Sequence, residues 1–70
     1  MDEQEFLHKV SVDTNVNIEL LKDLYKNDKM WTLIRTGKII DATILLRNIQ
    51  PKIRLREAKK VVEAFAAEYK

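Results

Sequence analysis

A chain of 70 residues holds one domain at most, and at this size folding hides only about 60% of the surface that the unfolded chain exposes, so the core is small and a net stability of a few kcal/mol follows from the usual scale of about 0.05 to 0.15 kcal/mol per residue. No cysteine is present, which excludes disulfide staples and a thiolate zinc site and leaves apolar packing alone to hold the fold. The net charge of +2 hides an asymmetry: residues 1–28 carry seven acids and three bases (−7 + 3 = −4), and residues 29–70 carry ten bases and four acids (+10 − 4 = +6).

Asp2 to Val10 has acids at its front and Phe6, Leu7 and Val10 at helical spacing, an arrangement that suits the helix dipole and predicts a short helix. The next stretch alternates Val10, Val12, Val16 and Ile18 around a polar Asp-Thr-Asn centre. Alternation is a strand or hairpin signal, but no later segment offers a third strand and a lone hairpin is marginal in water. The expectation is therefore an irregular loop in which Asn15 or Asn17 caps the following helix. That helix, about Asn17 to Asn27, puts Ile18, Leu21, Leu24 and Tyr25 on one face and Lys22, Asp23 and Lys26 outside.

Asn27 or Asp28 caps a further short helix that carries Met30, Trp31, Leu33 and Ile34 and ends at Gly37, the one glycine of the chain. Glycine suits the left-handed position just past a last helical turn because it has no Cβ to oppose that geometry. Trp31 is expected in the core, since a small core needs its largest side chain.

From about Ile39 to Ile49 the chain is apolar almost all round. Ile39, Ala42, Leu45, Leu46 and Ile49 share one face, and Ile40 and Ile44 lie on another. A helix with two apolar faces has to be covered twice, and central burial among its neighbours is the default expectation, with coverage by a partner or a second copy the other. Pro51 disfavours helical geometry at Gln50 and ends the helix there. The last helix, beginning near Arg54, is the most periodic segment: Leu55, Ala58, Val62, Phe65 and Tyr69 form its stripe and Val61 and Ala66 widen it. It is expected to pack on the preceding helix as an antiparallel hairpin, with Lys59 and Glu63 forming a surface pair.

The predicted fold is all-α: a single domain of four to five short helices, with residues 1–28 as an acidic supporting part and residues 37–70 as a basic helical hairpin. Cations crowd the start of its last helix, where the dipole favours anions. Lys52, Arg54 and Arg56 stand there, and Lys59 and Lys60 continue the positive surface. Three cations beside free helix N–H groups suit a phosphate or an acidic side chain. The charge asymmetry has two readings. The acidic part lies against the basic part within the fold, which is the default, or the basic part faces an anionic partner.

The pattern GKIIDATILLR, a short connection and then LREAKKVVEAF resembles the helical hairpin in the C-terminal domain of the bacterial ribosomal stalk protein, over residues 37–63. Gly37, Lys38, Ala42 and Arg47 match its first helix, and Leu55, Arg56, Glu57, Ala58, Lys59, Val62 and Glu63 match its second. The resemblance implies binding to translational GTPases through the basic residues and neighbouring apolar surface, with Arg47 and Lys59 as the matching contacts. The chain departs from that pattern at the connection, where Gln-Pro-Lys-Ile-Arg replaces a glycine-rich link, and it lacks the strands that complete the stalk domain's sheet.

Enzyme chemistry finds little support. His8 has no second ligand or partner in view, Ser11 lies in the expected loop, and no phosphate-cradling glycine-rich loop is present. No metal or other cofactor is implied. The opening MDEQEFLHKV lacks the basic flank and long apolar run of a signal peptide, and no apolar run approaches the roughly 20 residues of a membrane span, so the chain is expected to be soluble and cytoplasmic. The reading favoured is a small non-enzymatic binding module, a regulator or inhibitor, that meets an acidic surface of a larger protein or ribonucleoprotein machine through Arg47, Lys52, Arg54, Arg56, Lys59 and Lys60, with Ile40 and Ile44 as apolar contacts. The alternatives are a weakly specific DNA- or RNA-binding protein using the same cations, and a self-associating structural protein that buries Ile40 and Ile44 between copies.

Overall fold

The computed structural model describes residues 2–69, with the side chain of Tyr69 outside the described set. Five helices follow one another: α1 Glu3–Thr14, α2 Ile18–Tyr25, α3 Asp28–Arg35, α4 Ile39–Ile49 and α5 Leu55–Tyr69. The described residues contain no strand, and none of their helices is long and apolar enough to cross a membrane. The radius of gyration of 10.6 Å is close to the roughly 11 Å expected of a compact 70-residue domain.

The first helix runs four residues further than its sequence pattern predicts, through the stretch expected as a loop. Val10 and Thr14 extend the face begun by Phe6 and Leu7, and all four are buried. The Thr14 hydroxyl donates to the Val10 carbonyl one turn back at 2.7 Å, which removes the cost of burying it. Asn15 then stops the helix in the left-handed region at φ 60°, its N–H bonded to the Ser11 carbonyl at 2.9 Å. Asn15 therefore closes α1, and it is Asn17 that caps α2, accepting from the Glu19 N–H at 2.8 Å.

Helix α2 ends at Tyr25, two residues early, because Asn27 is used as the cap of α3 and accepts from the Met30 N–H at 2.9 Å. At the far end of α3, Gly37 takes φ 77°, the Lys38 N–H reaches the Leu33 carbonyl at 2.8 Å and the Gly37 N–H reaches that of Ile34 at 3.1 Å. This is the Schellman closure. A Cβ at Gly37 would meet nothing within 4 Å, so backbone conformation, not crowding, requires the glycine.

Helix α5 is the centre of the packing, touching α4 most extensively and also α1 and α3. Ala58, Val61, Val62 and Phe65 are buried along it. Phe65 stacks on Trp31, centroids 5.1 Å apart and planes within 7°, and Phe6 and Tyr25 close the aromatic cluster around it at 5.5 and 6.1 Å. Trp31, partly buried, joins the core as expected and donates its indole N–H to the Tyr25 carbonyl at 2.7 Å.

Two expectations about burial are corrected. Helix α4 is covered on one side only: Ala42, Thr43 and Leu46 are buried, while Ile40 and Ile44 stand 77% and 55% exposed. With only α3 and α5 packed substantially against α4, no third element reaches its outer face. Leu55, expected in the stripe of α5, is 59% exposed, and Ile53 of the connection is buried instead at 6%. The cause is a turn. Pro51 occupies its second position, the Ile53 N–H bonds the Gln50 carbonyl at 3.1 Å, and the chain folds Ile53 inward before α5 begins.

Candidate binding surface

The connection after α4 presents its cations by the same turn. Gln50 leaves helical geometry at φ −127° and ψ 77°, as the following proline dictates, and buried Ile53 anchors the segment between Lys52 and Arg54, both exposed. At the start of α5 the Arg54 N–H bonds the Glu57 carboxylate at 3.1 Å, one half of a capping box. The other half is missing, because arginine offers no acceptor. Helix α4 likewise begins at Lys38 with no side-chain cap, whereas Asp2, Asn17 and Asn27 cap the first three helices.

All six cations expected at the site, Arg47, Lys52, Arg54, Arg56, Lys59 and Lys60, are exposed. Lys52, Arg54 and Arg56 crowd the start of α5, and Lys60 lies one turn beyond Arg56 on the same face. Lys59 sits one turn beyond Leu55. Arg47 belongs to the other helix of the hairpin, one turn beyond Ile44 and on the same exposed side as Ile40. The apolar members missed by the sequence pattern are Leu55 on α5 and Val12 on α1, which is 68% exposed. A signal for Leu55 was present: it is flanked by Arg54 and Arg56, and Ile53, two residues earlier, competes for the same buried place.

The acidic part does lie against the basic part, through α1 on α5, but without an ion pair between them among the described residues. Among the described residues the one ion pair is Lys22–Glu19 at 3.5 Å, inside the acidic part itself. No acid of residues 2–28 pairs with a base of the hairpin, and the expected Lys59–Glu63 pair does not form. The positive surface is thus left open to solvent.

His8 is exposed on α1, and the Ser11 hydroxyl donates to the Val16 carbonyl at 2.6 Å. Among the described residues no three His, Asp or Glu side chains are grouped to hold a metal ion, and no buried side-chain polar atom lacks a hydrogen-bond partner. No protein-family model, no curated protein and no solved structure matches the chain.

Proposed function

We propose that this chain is a small non-enzymatic binding module that docks the basic surface of its α4–α5 hairpin on an acidic surface of a larger protein or ribonucleoprotein machine, as a regulator or inhibitor. The observation that carries this reading is that six cations stand exposed on one hairpin and none is ion-paired within the described residues. Folding does not account for them: at the start of α5 the helix dipole disfavours Lys52, Arg54 and Arg56 by a few tenths to about 1 kcal/mol each. Acidic groups of a partner turn that cost into attraction, and the exposed Ile40, Ile44 and Leu55 supply apolar area beside the charge. Charged rims of this kind steer encounter and discriminate between partners more than they hold them, so binding is expected to weaken with salt.

The test is affinity capture from cell lysate, with and without nuclease, by the chain and by a variant with Lys52, Arg54, Arg56 and Lys59 changed to glutamate. Nuclease-resistant protein partners that the variant loses support the reading. Partners that disappear with nuclease move the surface to nucleic acid, and capture that charge reversal leaves unchanged makes these cations a solvated face only.

A further inference from the structure

The chain carries on its own surface the acidic partner that its hairpin fits. The outer side of helix α1, with Asp2 before it, displays Glu5 and Asp13 exposed against the one base Lys9, and beside them Val12 stands 68% exposed. Helix α4 displays Ile40, Ile44 and Arg47, next to the cations at the start of α5. Both α1 and α4 pack on α5, yet they make no substantial contact with each other. Within one molecule no ion pair joins these two faces among the described residues.

We propose that copies of this chain associate head to tail, the Ile40–Ile44–Arg47 face and basic α5 start of one copy meeting the Val12 face and acids of α1 on the next. Each face offers an exposed apolar centre and a rim of opposite sign. A two-fold pairing of α4 with α4 centred on Ile44 would set Arg47 against the exposed Asp41 of its copy but would leave the acids of α1 and the cations at the start of α5 unmatched. The contact is heterologous, so it extends into chains unless the rotation between copies happens to close a ring. It goes beyond the function proposed above but shares its basic surface, so a copy held by its neighbour is a copy withheld from the larger partner.

Sedimentation of the purified chain tests this. The average mass is expected to rise above that of the monomer as the concentration approaches the order of 1 mM at about 0.01 M salt, where charges act over about 30 Å, and to return to the monomer at about 1 M salt, where they act over about 3 Å. Glu5→Lys with Asp13→Lys makes the α1 face basic like the hairpin, and Arg47→Glu with Arg54→Glu cancels the positive excess that Arg47, Lys52, Arg54 and Arg56 give the hairpin. Each double variant alone is expected to stay monomeric with an unchanged circular dichroism spectrum, since all four positions are exposed, and an equimolar mixture of the two is expected to associate. A chain that is monomeric under every condition overturns the inference, even where lysate capture upholds the proposed function. Association of the α1 variant equal to that of the unaltered chain overturns it too, in favour of pairing through α4.

Discussion

Phe65 is the residue on which the core converges. It is 1% exposed, stacked on Trp31 and ringed by Phe6 and Tyr25, so truncating it removes the shared wall of four helices. Phe65→Ala is expected to cost about 3 to 5 kcal/mol, most of the stability available to a chain of this size. Leu55→Ala, ten residues earlier on the same helix and 59% exposed, is expected to stay within about 0.5 kcal/mol. Urea unfolding followed by circular dichroism separates the two. Gly37 makes a second point at this scale. Because φ is 77° with open space around the missing Cβ, Gly37→Ala is expected to cost about 1 to 2 kcal/mol for backbone geometry alone. Gly37→Asn is expected to cost less, as Asn15 already adopts that region in this chain; thermal midpoints of the two variants check the order.

At the scale of elements, the helices divide by how they begin. Asp2, Asn17 and Asn27 close the first three with side-chain acceptors, and α4 and α5 start at Lys38 and Arg54 without one. Asn27→Ala is expected to lower stability by about 1 kcal/mol in the same urea measurement. The outer face of α4 behaves in the opposite sense. Ile40→Ser with Ile44→Ser removes two large apolar side chains, yet stability is expected to change by no more than about 0.5 kcal/mol, since neither is in the core. The elements themselves were largely legible in the sequence: Gly37 and Pro51 ended helices where their backbone preferences require. The extension of α1 was hidden because Val10, Val12 and Val16 alternate like a strand. Thr14, whose hydroxyl satisfies itself on the preceding turn, is the residue that lets the helix continue.

For the whole molecule, the telling fact is how little electrostatics contributes to the fold. Lys22–Glu19 has both side chains well exposed, at 41% and 73%, and such a pair contributes at most about 1 kcal/mol. The urea midpoint is accordingly expected to move little between about 0.1 and 0.5 M salt, while capture of an acidic partner by the hairpin weakens over the same range.

The residue order by itself determined the helical class, the helix ends that depend on Asn, Gly and Pro, and the presence of more apolar surface on α4 than one face can hide. These follow from local backbone preference and from spacing. Only the tertiary structure decided which face of α4 is covered, that Ile53 displaces Leu55 from the core, and that the acidic and basic parts touch without an ion pair among the described residues. Those outcomes depend on where α1, α3 and α4 settle around α5, a matter of long-range packing that no local pattern encodes.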